Sequence, residues 1–338
     1  MDTQNKFNFA MCGCGGMANW HAEELLKLNK VNIIAVVDPT PPNAEGFKKR
    51  HAPEAIMYES LQTLVDKPPC RIDAVVIVTP HTLHYSQAKL ALEHDIHVLV
   101  EKPMVTNTAD AYDLWRTVKQ TNRLLGITFQ SPYTANFGYL AGERDTGSLG
   151  PVQAITGWIS QGWLAATTNT WRQDATLSGG GFMYDTGAHL LNAMMWLMND
   201  PVVEVACFFD KHSSTVDITG TAIMKFQNGA IGSVTFAGNT PTFESELKLF
   251  TDRMTVHTDA YGRKLEIFAK DRGPVLTNVN TDATQTPHAN FIAALEGREP
   301  LRVPARYGVL LSALMDAMYE SGQNGKMVKV NAVPTDID

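Results

Sequence analysis

The stretch "FNFAMCGCGGMANWHAEELLKL", residues 7–28, decides the fold. An apolar run leads into glycines at 13, 15 and 16, and an amphipathic pattern follows from Ala18 to Leu28. Two readings compete for its centre. Cys12 and Cys14 form a C-x-C pair that could hold a metal or cycle a disulfide. Gly13-Cys14-Gly15-Gly16-Met17-Ala18 also fits G-x-G-x-x-A, set after a strand and before a helix. In that setting the first glycine permits a tight turn, the second lets backbone approach a pyrophosphate, and the small last residue lets helix and strand pack closely. The helix start then offers free N–H groups and the positive end of its dipole to phosphate.

The next apolar run strengthens the second reading. "VNIIAVVD" ends at Asp38, where a carboxylate can accept hydrogen bonds from an adenosine ribose. A 2′-phosphate there would meet like charge, and no arginine directly follows to compensate, so NAD is favoured and NADP is left open. The cysteines then fill small positions around a turn. Cys12, Cys14, Cys70 and Cys207 are the only four in the chain; their number and spacing argue against a disulfide framework or a cysteine zinc site.

Apolar runs and helical patterns alternate through the first 130 residues: "FNFAMCG", Ala18 to Leu28, "VNIIAVVD", Ala44 to His51, "IDAVVIVTP", His84 to Glu93, "HVLVEKP", Ala109 to Thr121 and "LLGITFQ". Strands apolar at nearly every position, separated by helices, predict an α/β fold with a doubly wound parallel Rossmann sheet. Beyond that, "AITGWIS", "VEVACFF", "GTAIMKF", "AIGSVTFAG", "ELKLFTD" and "KLEIFAK" alternate or mix, and Asn228-Gly229 signals a two-residue hairpin. The expectation is an α+β second domain with a large, mostly antiparallel open sheet and helices at Phe182 to Met198 and Ala305 to Ser321. The boundary falls between 1–130, a nucleotide domain, and 131–338, a domain for substrate and oligomerisation.

With 338 residues, 44% hydrophobic and 19% charged, the composition is that of a globular protein. A net charge of -7 leaves no basic footprint for nucleic acid or anionic lipid, and apolar runs such as "AVVIV" are strand-sized. "MDTQNKFNFA" has neither a basic nor an apolar leader region, so a cytoplasmic setting without membrane or nucleic-acid partners is expected.

Three more segments, with the glycine turn, make the chain resemble the Gfo/Idh/MocA family of nicotinamide-dependent sugar and cyclitol oxidoreductases. "TPHTLH" at 79–84 looks like the family's TP-x-x-x-H, "EKPMVTN" at 101–107 matches its EKP signature, and "GGGFMYDTGAHLLNAMMW" at 179–196 resembles its glycine-rich lead into D-x-G-x-H. The resemblance implies cofactor contacts at Gly13, Gly15, Gly16, Met17, Asp38, Thr79, Pro80, His84, Glu101, Lys102 and Gln130. It implies a catalytic set of Lys102, Asp185 and His189, a sugar or polyol substrate, and a homodimer or homotetramer through the second domain's sheet. No metal is expected: His81 and His84 have no third ligand nearby.

The chemistry of these residues has its own logic. Lys102 ends a strand at the carboxyl edge of the sheet, where such folds bind ligands, and its ammonium can stabilise an alkoxide. Asp185 and His189 stand at i, i+4, a spacing that puts both on one helix face, where the carboxylate can fix the tautomer of a general base. Asn192 occupies a position that is often acidic in the family; its amide can orient a sugar hydroxyl but carries no charge. "GWLAATTNTWRQDATLSGGG", 162–181, is a long connection bearing Trp163, Trp171 and Arg172; Trp171 and Arg172 are candidate substrate contacts, with core packing the alternative for the tryptophans.

The reading is an NAD-dependent dehydrogenase acting on a secondary alcohol or its ketone. Two alternatives stay open: a glycoside-cleaving or epimerising enzyme that uses bound NAD transiently, and a non-catalytic NAD-binding regulator.

Overall fold

The computed structural model describes residues 6–270, 274–276 and 285–331. They divide into two compact units.

The first unit holds a parallel sheet of β1 (Phe7–Cys12), β2 (Val31–Val37), β3 (Ile56–Tyr58), β4 (Ala74–Ile77), β5 (His97–Val100) and β6 (Leu125–Ile127), in the order β3-β2-β1-β4-β5-β6. The order reverses beside β1, so Gly13 and Thr79 leave the sheet side by side at its carboxyl edge, where ligands bind in this architecture. The central strands are apolar throughout because both faces are covered: Phe9 to Cys12 and Ala74 to Ile77 are all buried. Helices Gly16–Lys27, Pro41–His51 and His84–Glu93 form where expected, the second starting on a proline in its first turn. The edge strand β3, half exposed and three residues long, escaped the pattern reading.

One expectation about the boundary changes. Residues 286–308, read from sequence as part of the second domain, belong to the first unit. Helix Pro287–Leu295 lays Phe291 edge-on to Phe9 at 6.2 Å, and Val303 accepts the Ile127 N–H at 3.0 Å. Gly126 leaves room for this return, since a Cβ there would lie 3.2 Å from the Phe291 ring. Hydrophobic periodicity identified no owner for a short helix so far along the chain from the core it completes.

The second unit is built on β7 (Val152–Ser160), β8 (Val202–Asp210), β9 (Thr219–Phe226), β10 (Ile231–Ala237), β11 (Glu244–Thr251), β12 (Met254–Thr258), β13 (Leu265–Ala269), β14 (Pro274–Leu276) and β15 (Val328–Lys329), in the order β14-β13-β12-β11-β7-β10-β9-β8-β15. Every neighbouring pair is antiparallel except β7 with β10. The Asn228-Gly229 hairpin forms with a three-residue loop: Phe226 N–H bonds Ala230 O at 2.9 Å, and Gly229 takes the left-handed conformation at φ 92°. One sheet face packs on helix Gly187–Met198, whose residues are buried almost without break. Registry places Phe208, Ile223, Ile231, Phe250 and Phe268 together on the other face, and all five are exposed.

Candidate active site

In the first unit, the turn answers the question posed by the cysteines. Gly13 has φ 89°, and a Cβ there would lie 2.7 Å from the Val78 carbonyl oxygen, so only glycine fits. A Cβ on Gly15 or Gly16 meets nothing within 4 Å. Gly15 caps helix Gly16–Lys27 without a side-chain bond, and no acidic residue occupies the first turn. That open, donor-rich helix start is a surface to which a pyrophosphate fits. Met17 is exposed beside it.

Asp38 accepts the Cys14 N–H and the Thr40 N–H, each at 2.8 Å. These bonds aim the carboxylate and leave it acceptor capacity for ribose hydroxyls. Cys12 and Cys14 are buried, and burial first, then neighbouring negative charge, pushes the Cys14 thiol up to about 12. Thiols held in that state are poor nucleophiles.

At the neighbouring strand ends, His84 is buried and braces two loops: its Nδ1 faces Pro103 O at 2.8 Å and its Nε2 faces Thr79 O at 2.9 Å. Burial lowers its pKa. Thr79 donates its hydroxyl to Gln87 at 2.6 Å. Both His84 nitrogens therefore face main-chain carbonyls, of the Lys102-Pro103 and Thr79-Pro80 loops, and the neutral ring donates to only one of them at a time. Glu101 turns inward as well. Its Oε1 accepts from Thr128 Oγ1 at 2.8 Å and from His21 Nε2 at 3.0 Å, and its Oε2 accepts the Lys102 N–H at 3.0 Å. Burial works to raise the Glu101 pKa, yet the His21 bond, the nearby positive charge and the Thr128 hydroxyl together bring it down to about 2. Lys102 is half-buried where the chain leaves β5.

In the second unit, helix Gly187–Met198 starts after Asp185, so Asp185 and His189 do not share a helix face as their spacing predicts. Residues 181–186 form turns instead, because one residue, Asp217, takes three successive main-chain N–H groups. Its carboxylate accepts those of Gly181 (2.7 Å) and Met183 (2.8 Å), and its carbonyl accepts that of Phe182 (2.8 Å). Tyr319 donates its hydroxyl to the same carboxylate, which burial shifts toward a higher pKa.

The turns deliver Asp185 to the 162–181 connection. Trp163 Nε1 donates to Asp185 Oδ2 at 2.9 Å and Arg172 Nε donates to the same atom at 3.1 Å. The connection itself is not a plain loop; it contains helices Trp163–Ala166 and Ala175–Ser178 and a 3₁₀ turn at Trp171–Gln173. Trp163 is fully buried, so it both packs and holds Asp185. The Arg172 guanidinium lies over the Trp171 ring at 4.6 Å.

His189 sits between two rings, Phe129 at 5.7 Å and Tyr261 at 4.9 Å. Burial and then the Asp185 charge raise the Tyr261 pKa, so this hydroxyl stays protonated beside the carboxylate. Sequence reading missed Tyr261 and Asp217; both lie in strand-rich stretches with no motif around them. Asn192 is 1% exposed, and its amide nitrogen and oxygen have no hydrogen-bond partner among the described residues. A substrate could reach that amide only if its neighbours moved. Gln130 is half-buried, its carbonyl accepting the Tyr133 N–H at 3.1 Å. No group of three or more metal-ligating side chains occurs among the described residues.

A Rossmann sheet with an open glycine turn and an acidic strand end defines a dinucleotide-binding protein. Comparison with known proteins gives the family. Residues 7–129 match the model described as "Oxidoreductase family, NAD-binding Rossmann fold", and residues 144–260 match the GFO/IDH/MocA C-terminal domain. The chain belongs to the GFO/IDH/MocA family of NAD-binding oxidoreductases. Similar proteins include the D-glucoside 3-dehydrogenase of Escherichia coli K12, 22% identical over 97% of this chain and 99% of the relative. The inositol 2-dehydrogenase of Salmonella paratyphi B is 24% identical over 60% of this chain and 58% of its own length. Among solved structures, the WlbA dehydrogenase of Chromobacterium violaceum, in complex with NADH and UDP-GlcNAcA, shares the fold at TM-score 0.86 with 22% identity, covering 99% of this chain and 98% of that one.

Proposed function

We propose that this NAD-binding oxidoreductase acts on a secondary alcohol of a sugar, sugar acid or cyclitol, or on the matching ketone. The observation that carries the substrate class is the setting of His189, walled by Phe129 and Tyr261, in a unit where Arg172 and Trp163 hold the Asp185 carboxylate. Aromatic walls with a polar, charged floor suit a polyhydroxylated ring. Relatives named for glucoside and inositol oxidation support the same class.

Bound NAD supplies the acceptor for the hydrogen on the carbinol carbon. His189 removes the hydroxyl proton, and Lys102 donates to the oxygen and stabilises the alkoxide as it forms. Asp185 balances the charge that His189 gains, and its own excess is met by Arg172. Arg172 and Trp171 orient the substrate's other hydroxyls. Gly15, Gly16 and the Asp38 carboxylate hold the cofactor, with NAD favoured over NADP by the charge of Asp38.

The exposed apolar face of the second unit's sheet suits a homodimer or homotetramer through that face. No helix among the described residues is long and apolar enough to cross a membrane. Four free cysteines accord with a cytoplasmic setting.

The test is a spectrophotometric screen of glucosides, sugar acids and inositols with NAD and NADP at alkaline pH. Net NADH formation with one of them is expected. Turnover without net NADH would move the assignment to a transient-redox enzyme, and no turnover with tight NAD binding would move it to a regulator.

A further inference from the structure

Lys102 owes its place to a buried network that the sequence motifs do not reveal. β5 ends at Val100; the Glu101 N–H still bonds Ile77 O at 2.8 Å, but the Lys102 N–H turns to the Glu101 side chain at 3.0 Å. The sheet ladder has run out, and a carboxylate continues it. That carboxylate is fixed in turn by Thr128 and by His21 Nε2 at 3.0 Å, and His21 Nδ1 meets His288 Nε2 at 2.8 Å. Both imidazoles are 0% exposed, and the Trp20 indole packs edge-on to each, at 4.8 and 5.0 Å.

The bonds fix where the protons lie. An ionised carboxylate only accepts, so His21 carries its hydrogen on Nε2 and accepts at Nδ1. His288 must then donate from Nε2, which leaves its Nδ1 a bare lone pair. That atom has no hydrogen-bond partner among the described residues, as the assignment requires. The opposite arrangement, with a proton on His21 Nδ1, would leave a buried His288 N–H without an acceptor among the described residues, the costlier kind of orphan. Burial also drives the His288 pKa well down, which keeps the ring neutral.

We propose that His288, His21 and Glu101 form a one-directional hydrogen-bond relay whose function is to position Lys102. It rests on the assignment of Lys102 as a catalytic group. The relay draws one member from the helix that carries the glycine turn, one from the end of β5, and its last from the returning segment 286–308. Glu101, His21 and His288 are positioning residues: they set the lysine main chain, from which the ammonium reaches the substrate oxygen.

Imidazole-labelled protein with saturating NAD, observed by ¹⁵N NMR, tests the proton placement; both His21 and His288 are expected as Nε2–H tautomers with strongly deshielded protons. His288→Leu removes the donor to His21. It is expected to shift the Lys102 amide resonance and to lower kcat about tenfold with NAD and methyl D-glucoside, the kind of loss that a small misplacement of a reacting group gives. KM and the Kd for NAD should stay within about twofold. His288→Gln, whose amide N–H reaches the same point as Nε2–H, should restore most of the rate. Glu101→Gln should move the Lys102 amide resonance most.

Nδ1–H tautomers would overturn the relay. So would an unmoved Lys102 amide and unchanged kcat in both His288→Leu and Glu101→Gln. Lys102→Ala separates the levels. If it is inactive while those two variants keep full rate, only the relay falls; if Lys102→Ala itself keeps full rate, the catalytic assignment falls and the relay's purpose with it.

Discussion

The molecule contains two glycine clusters that look alike on paper and differ in physical meaning. Around Gly15 and Gly16 a Cβ would enter open space. Around Gly179, Gly180 and Gly181 it would enter protein: Thr106, the Tyr319 hydroxyl and the Asp217 main chain respectively. The first cluster is bare so that something else can approach. The second is bare because its neighbours already have, and their closeness folds the turns that present Asp185. Glycine content alone marks both; only the surroundings say which faces a ligand.

His189→Ala should lower kcat by about 10³-fold, the usual range for a lost acid–base group, with NAD titrations unchanged, and Lys102→Ala should lower kcat as far. A parental rate in His189→Ala would mean that the second cluster leads to no chemistry. Gly181→Ala should cost about 3 kcal/mol or more in denaturant unfolding, because a rigid main chain stands where the methyl must go. Gly15→Ala, at φ -74°, should leave stability within about 0.5 kcal/mol yet weaken NAD binding at least about tenfold. Equal effects of these two substitutions on unfolding would erase the distinction.

Asp38→Ala removes a charged acceptor, and the ratio of NAD to NADP affinity should move about tenfold or more toward NADP. The smallest effect is on acid stability. The folded pKa of Glu101, about 2, lies below its ordinary value of 4.5, so its stabilisation is complete above about pH 4.5 and is lost as pH falls toward 2. Denaturant midpoints measured across that window should decline less steeply in Glu101→Gln than in the parent.

Much of this could be read from the chain because the relevant requirements are local. Gly13 needs a positive φ, Asp38 ends an apolar strand, and Pro103 follows Lys102; each leaves a mark within a few residues. The parallel sheet was legible for the same reason, as buried strands are apolar at every position. What stayed hidden depends on partners remote in sequence. Nothing near Asp185 says that a helix waits until Gly187, a delay imposed by Asp217, or that the Asp185 carboxylate is held by Trp163 and Arg172. His21 reads as one polar residue in an amphipathic helix, and only His288 and Glu101 explain why it is buried. The hairpin at Asn228 shows the middle case: its existence was written locally, and its loop length was not.

The return of residues 286–308 to the first unit bears on how the chain is made. A ribosome that has released residues 1–130 has not yet released helix Pro287–Leu295, so the nucleotide-binding sheet leaves the exit tunnel without Phe291 beside Phe9 and with the His21 imidazole short of its donor. The second unit also waits, because β15 joins β8 only from Val328 onward. Domains generally fold as units in the order of synthesis. Here each unit receives a segment from late in the chain, and a fragment cut at residue 130 would carry the glycine turn on a core without Phe291.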